Sequence, residues 1–272
     1  MPDSPFRGVG MTLWQAALLG ILQGLTEFLP VSSSGHLALA QMLIPSFEQP
    51  GVVFDAMLHA GTACAVVWFE RRRIIGWFGS DSGRRLLALL VVGTLATVVV
   101  AFPLRRVAEA AFSLPVWVGS GLLLTGVIVA VTRVLPGGAG DESSTTWRQA
   151  LMIGLAQGLA VFPGLSRSGI TIAASLGAGL DRGWAARFSF LLSVPVIAGV
   201  TVAQIVERKA ELVIAGNGFL IACIVGALAA GITGYFAIQL VIKTVSSRIF
   251  HRFAWYCVPL GLLVLALTWG GR

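Results

Sequence analysis

The sequence predicts an all-α polytopic membrane protein made of two inverted repeats, each with one re-entrant helix–loop–helix and three full transmembrane helices. Three observations carry that expectation. Of 272 residues, 56% are hydrophobic and only 11% charged, against about 25% charged in a soluble domain. Six apolar runs approach the roughly 20 residues a helix needs to cross the hydrocarbon core, and none shows a polar face at the helical period. Two polar stretches, QGLTEFLPVSSSGH (Gln23–His36) and QGLAVFPGLSRSGIT (Gln157–Thr171), repeat each other at an offset of 134 residues.

That offset places Gly20 on Gly154, Gln23 on Gln157, Gly24-Leu25 on Gly158-Leu159, Phe28 on Phe162, Ser32 on Ser166 and Ser34-Gly35 on Ser168-Gly169. So many matches in so short a window imply two structural halves. The first half, 1–135, is expected to hold a re-entrant segment over about 12–44 and spans over about 52–69, 86–104 and 116–132. The second, 136–272, is expected to hold a re-entrant segment over about 147–180 and spans over about 186–206, 218–242 and 253–270. The re-entrant assignment follows from the Pro, Gly and Ser that break both stretches, because irregular backbone at membrane depth must be buried in protein or line a cavity. Three crossings per half is an odd number, so the second half is predicted to be inverted.

Charge patterning orients the halves. With the N-terminus outside, twelve of the nineteen basic residues fall on the cytoplasmic side, among them Arg71–Arg73, Arg84, Arg85, Arg182, Arg187, Lys243, Arg248 and Arg252. Six fall outside (Arg7, Arg105, Arg106, Arg208, Lys209 and Arg272), and Arg167 is left at membrane depth. This is the positive-inside pattern. The net charge of +7 is therefore read as loop charge, and no basic segment is long enough to bind nucleic acid. By composition, with Asp3, one basic residue and a first apolar run that carries Gln15, Gln23 and Glu27, the N-terminus is not expected to be a removable signal peptide. The three cysteines, Cys64, Cys223 and Cys257, are scattered singly, which predicts small buried hydrophobes without disulfides. Trp68, Trp77, Trp147, Trp184 and Trp269 flank the spans and read as interfacial anchors.

The polar residues at membrane depth are the candidates for chemistry. Glu27 lies one helical turn after Gln23, so an amide and a carboxylate share a face that suits a hard divalent cation or a proton transfer. The plainer alternative is a glutamate that neutralises Arg167. Ser32, Ser33 and Ser34 follow Pro30, and Gly164, Ser166 and Ser168 repeat the arrangement with Arg167 added. Serine-capped helix N-termini attract phosphate, and a guanidinium bonds phosphate oxygens in pairs. Gln23, Ser32, Ser34, Gly164, Ser166, Ser168 and Thr171 form the expected substrate-binding set. His36 is either a polar helix residue or a base or nucleophile for phosphoryl transfer. Asp55 and His59, four apart, either extend the site or stabilise a helix contact.

Together, Gln23–His36, the PGLSRSGIT of Pro163–Thr171 and the FDAMLHAGT of Phe54–Thr62 resemble the bacterial undecaprenyl pyrophosphate phosphatases, the bacitracin-resistance family, over essentially the whole chain. The resemblance implies a phosphatase that removes the terminal phosphate of undecaprenyl pyrophosphate and so regenerates the lipid carrier for cell-wall synthesis. It implies a multi-pass protein of the bacterial cytoplasmic membrane with its site open to the outer face, and a divalent cation (Mg2+ or Ca2+) as cofactor. Carried over by position, Glu27 is the essential glutamate and metal ligand, Ser33 and His36 are the nucleophile or base, and Arg167 binds the pyrophosphate. Gln23 stands where many members have a glutamate and others a glutamine. The rival reading is a lipid-phosphate transporter that uses the same anion site, since inverted repeats with broken helices are also the transporter plan. A homodimer is compatible with the sequence, which does not set the oligomeric state.

Overall fold

A computed structural model describes residues 11–43 and 52–270, and the side chains of 41–43, 209–215 and 269–270 lie outside that description. The expected end of the first re-entrant segment near 44, the basic residues Arg7 and Arg272, and the side chains of Lys209 and Trp269 are thus outside the described residues. Among the described residues the fold is helical throughout, with one isolated parallel bridge between Gly140 and Leu180.

Two short helices, α1 (Leu13–Phe28) and α2 (Ser33–Leu43), form the first polar hairpin, and α7 (Trp147–Leu159) and α8 (Arg167–Gly177) form the second. Their starts are built alike. Thr12 caps α1 and Thr146 caps α7, each in a capping box with the glutamine three residues on, Gln15 or Gln149. Each threonine accepts from the third amide while the glutamine returns a bond to the cap, which satisfies two donors that the helix leaves open. Both residues of each box sit at the same 134-residue offset.

Five segments are long and apolar enough to cross a membrane: α3 (Val52–Phe69), α5 (Asp81–Phe112), α9 (Arg182–Glu207), Gly216–Ser246 and Phe250–Thr268. Gly216–Ser246 is the greater part of α10 (Lys209–Ser246), which breaks at Gly216. Phe250–Thr268 comprises a 3-10 turn (Phe250–Phe253) and most of α11 (Ala254–Gly270). The sixth expected span is α6 (Pro115–Val131), a 17-residue apolar helix, and the arginine-rich segment after α3 is a short helix, α4 (Arg71–Trp77). Helix α5 runs well past the apolar stretch that announced it. Apolarity stops at Arg105, but Arg105 pairs with Glu109 one turn on at 2.6 Å and with Glu207 at the end of α9 at 3.6 Å, and these pairs support the polar end.

Packing is polar inside and apolar outside. Gln23, Thr62, Thr97, Thr125, Gln157, Ser168, Thr171, Ser175, Ser189 and Ser193 are buried, whereas Val99, Phe102, Leu228, Phe236 and Trp255 are exposed. Such a surface fits a chain whose apolar helices are long enough to cross a membrane. The central core joins α8, α9, α10 and α3 around Phe28, whose ring meets Phe190 edge-on at 5.2 Å. Helix α1 lies along α10 and α7 along α5. Both contacts need a missing side chain at the crossing. A Cβ on Gly20 would overlap the carbonyl oxygen of Gly226, and one on Gly154 that of Gly93. Helices approach this closely in membranes because small residues remove the steric barrier.

Three expectations about single residues are corrected. Trp77 and Trp184 are buried rather than interfacial, because their indole N–H groups donate to Glu142 (3.1 Å) and Thr145 (2.8 Å) in a polar layer at one end of the bundle. Trp68 and Trp147 are exposed, as an anchor requires. Cys64 is exposed on α3, while Cys223 and Cys257 are buried, and all three are free. Glu70, which precedes α4, is buried between Arg73 and Arg187. In the 133–146 connection, Asp141 accepts from the hydroxyl and amide groups of Ser143 and Ser144, and these bonds hold its carboxyl down at about 2.

Candidate functional site

The two hairpins meet at their tips. Pro30 ends α1 by denying it an amide donor, and the chain turns through Val31 and Ser32 before α2 begins. Ser32 adopts φ 67°, which is uncommon for a residue with a side chain. Its bonds hold it there: its Oγ accepts from Gly35 N at 3.2 Å, and its carbonyl accepts from His36 N at 3.1 Å and from His36 Nδ1 at 2.8 Å. In the second hairpin Ser166 caps α8 by accepting from Gly169 N at 3.1 Å. The hydroxyls of Ser32 and Ser34 lie 3.2 Å apart, and those of Ser166 and Ser168 lie 3.1 Å apart, so the repeat extends to side-chain geometry.

The tips are fastened by direct contacts. Ser168 Oγ donates to the carbonyl of Leu29 at 3.1 Å. Thr125 of α6 donates to the carbonyl of Gly164 and accepts from Ser166 N, both at 2.9 Å, and so clamps the second loop from the side. Cys257 of α11 donates to the carbonyl of Pro30 at 3.1 Å. Gly164 carries φ 82°, and a Cβ there would overlap the Val118 carbonyl of α6. Gly164→Ala is therefore expected to cost about 1–3 kcal/mol through left-handed strain and overpacking. Thermal inactivation of the variant in detergent should occur at lower temperature, and an unchanged midpoint would show that the loop relaxes away from α6.

Glu27 sits where the tips converge, buried to 7% exposure. Arg167 Nη2 donates to its Oε1 at 2.6 Å. Its Oε2 accepts from Ser33 Oγ at 2.7 Å and from Gln23 Nε2 at 2.9 Å. Four residues that the sequence separates by up to 144 positions thus share one carboxylate. A fifth, His59 of α3, stands with Nδ1 2.9 Å from Gln23 Nε2 and 3.4 Å from Glu27 Oε2. Its partner in the motif, Asp55, lies one turn earlier on α3.

Two atoms of this cluster are buried without a hydrogen-bond partner: Gln23 Oε1 and Arg167 Nη1. Burying an unsatisfied polar group is costly, so each marks a place for a missing partner. The guanidinium nitrogen calls for an acceptor such as a phosphate oxygen. The buried amide oxygen calls for a donor or a hard cation. Among the described residues no three His, Cys, Asp or Glu side chains gather to form a closed metal cage. The donors present fit a cation that keeps most of its waters and is held by one carboxylate, neutral oxygens and substrate phosphate. Glu27, Gln23 and Ser33 are the residues that fit.

The remaining expected residues are distributed unevenly. His36 is engaged away from Glu27: its Nδ1 bonds the Ser32 carbonyl, and its Nε2 lies 2.7 Å from Tyr256 Oη of α11, with the two rings stacked at 5.6 Å. A carbonyl only accepts, so Nδ1 carries the proton and Nε2 accepts from the tyrosine. The Thr171 hydroxyl donates to the Arg167 carbonyl at 2.8 Å and meets Ser189 of α9 at 2.5 Å, which ties α8 to the bundle. Gln157, the repeat counterpart of Gln23, bonds Thr97 of α5 at 3.0 Å. Thr125, Cys257 and Tyr256 were not found from sequence, because a lone Thr, Cys or Tyr in an apolar run carries no signal.

Comparison with known proteins bears on what such a cluster serves. Residues 16–263 match the family described as Bacitracin resistance protein BacA. Curated relatives named undecaprenyl-diphosphatase include one from Desulfosudis oleivorans, 42% identical over 92% of this chain and 97% of its own length. One from Desulforapulum autotrophicum is 41% identical over 93% of this chain and 97% of its length. One from Korarchaeum cryptofilum is 36% identical over 94% of this chain and all of its length. With the family description running from α1 into α11 and relatives matched nearly end to end, the chain belongs to the bacitracin-resistance BacA family.

Proposed function

We propose that this protein is an undecaprenyl-diphosphatase: it hydrolyses undecaprenyl pyrophosphate to undecaprenyl phosphate and inorganic phosphate, and so recycles the carrier for peptidoglycan synthesis in the bacterial cytoplasmic membrane. The observation that carries the reading is the Glu27 carboxylate held between Arg167 and Ser33, with Arg167 Nη1 left unpaired beside it. Two serine-capped helix starts face each other across this carboxylate, and each offers amides that its own helix leaves open. A polyprenyl tail needs an apolar surface next to the charged site, and the exposed faces of the helices provide it.

In this reading Ser33 Oγ attacks the terminal phosphorus. Its proton passes to Glu27 Oε2, the bond from phosphorus to the bridging oxygen breaks, and undecaprenyl phosphate leaves with the bond's electron pair. The leaving undecaprenyl phosphate takes that proton from Glu27, whose carboxylate then deprotonates water. The water oxygen attacks the phosphoserine phosphorus, the bond from phosphorus to Oγ breaks, and Oγ takes the proton back from Glu27 as inorganic phosphate leaves. Ser33 is favoured over His36 because its hydroxyl already donates to Glu27, whereas both ring nitrogens of His36 are engaged elsewhere. Arg167 and the opposed amides neutralise the equatorial oxygens, the main task in phosphoryl transfer. A divalent cation, held by Glu27 with Gln23 and Ser33, would supply further charge on the phosphates when bound. Ser32, Ser34, Gly164, Ser166 and Ser168 shape the two caps that receive the pyrophosphate. The direct test is release of inorganic phosphate from undecaprenyl pyrophosphate by the purified protein in detergent. A transporter alone would release none, because flipping needs two compartments and hydrolysis does not.

Sidedness follows from the charge pattern laid on the two-halves reading, which the matching contacts of α1 with α10 and of α7 with α5 support. With an outward-opening site, a cysteine replacing Ser34 reacts with an impermeant thiol reagent added to intact cells once Cys64, Cys223 and Cys257 are removed. A cysteine replacing Ser80, the cap of α5 beside Arg84 and Arg85, reacts only after the membrane is opened. A reversed labelling pattern would overturn the outward-facing orientation.

A further inference from the structure

His59 of α3 touches the cluster but has no role in the reaction as written. Gln23 and Glu27 share a helix face, so their mutual contact needs nothing from α3. The question is what a third group does against Gln23, whose side chain is fully buried.

The chemistry of the contacting atoms answers it. A carboxylate oxygen only accepts, so the end of the Gln23 amide that lies 2.9 Å from Glu27 Oε2 is the NH2 end. That nitrogen has two hydrogens. One goes to Glu27, and the second points at His59 Nδ1, also 2.9 Å away. Nδ1 therefore presents its lone pair, and the imidazole carries its proton on Nε2. With both hydrogens held, the amide plane is set, and Oε1 is the buried oxygen with no partner. Glu27 alone would not set it. The last torsion of a glutamine is broad, and one hydrogen bond leaves the amide free to swing about that contact.

We propose that His59 is a positioning residue that locks the Gln23 amide so that its buried Oε1 stays unpaired and available as a neutral oxygen ligand for a hard divalent cation bound at the Glu27 face. This rests on the reading of that face as a cation site. It adds a requirement for the imidazole acceptor that neither the Gln23–Glu27 spacing nor the Glu27 contacts impose. The acceptor, not the ring, is what matters, and asparagine can place its Oδ1 near the position of an imidazole Nδ1.

The test uses the full chain in detergent, without substrate, titrated with Mg2+ or Ca2+ while thermal unfolding is followed. The unaltered protein should be stabilised with a definite half-saturating concentration. His59→Ala should raise that concentration about tenfold, in line with the loss of a partner behind a metal ligand. His59→Asn should stay within about threefold of the unaltered protein. Phosphatase assays should show the same order in the cation concentration needed for half-maximal rate, with KM for the lipid little changed. Equal half-saturation in His59→Ala and the unaltered protein would overturn the role, as would equal losses in the Ala and Asn variants. If the unaltered protein showed no cation-dependent stabilisation at all, the cation reading would fail first, a result that does not depend on either variant.

Discussion

Glu27→Gln abolishes phosphate release, with an expected loss of roughly 10^2- to 10^4-fold in kcat, the usual worth of a general base. The substitution keeps the size of the side chain but removes the carboxylate that contacts both Ser33 and Arg167. Ser33 loses its proton acceptor, the guanidinium loses its counter-charge, and the amide NH2 of the new residue opposes the donors around it. Burying an uncompensated guanidinium is itself destabilising, by about 3–5 kcal/mol when one partner of a buried pair is removed. Folding must therefore be checked by size-exclusion profile and thermal unfolding beside the assay. A folded Glu27→Gln protein with near-normal turnover would remove Glu27 from the chemistry and leave it as a counter-ion for Arg167.

Arg167→Lys separates those two roles from the other side. Lysine keeps the positive charge and can still pair with Glu27 Oε1, so a counter-ion role would survive the change. It cannot keep one nitrogen on Glu27 while presenting a second, coplanar nitrogen to a phosphate oxygen, as the bonded Nη2 and unpaired Nη1 do. The expected loss is roughly 10^2- to 10^3-fold in kcat, the range for removing one donor to a developing oxyanion. Wild-type turnover in the lysine variant would refute the clamp and leave only the ion pair.

Much of the site was legible in the sequence because polar residues are scarce in this chain. Glu27, Ser33, Gln23 and Arg167 stand out against apolar surroundings, and the 134-residue repeat pairs the two loops in the sequence itself. His59 was visible only as one of a pair with two readings, and its place beside Gln23 and Glu27 depends on how α3 packs on α1. His36 shows the opposite case. Proximity in sequence to Glu27 and Ser33 suggested a shared task, but the turn at Ser32 aims its ring toward Tyr256. The tryptophans failed in the same way: Trp77 and Trp184 lie at span ends as anchors do, yet acceptors on the 133–146 connection draw them inward.

The sequence by itself determined the solvent, the helical class and the two polar loops. These are properties of composition and short-range order: a long apolar run must be helical in lipid, and a proline followed by serines must break and restart a helix. Only the tertiary structure decided which polar groups meet. The junction of Glu27 with Arg167 crosses 140 residues, and it forms because Gly20 and Gly154 let their helices approach other backbones and because Thr125 and Cys257, from distant helices, pin the two tips. Such contacts follow from the close packing of whole helices, and no local pattern of residues encodes them.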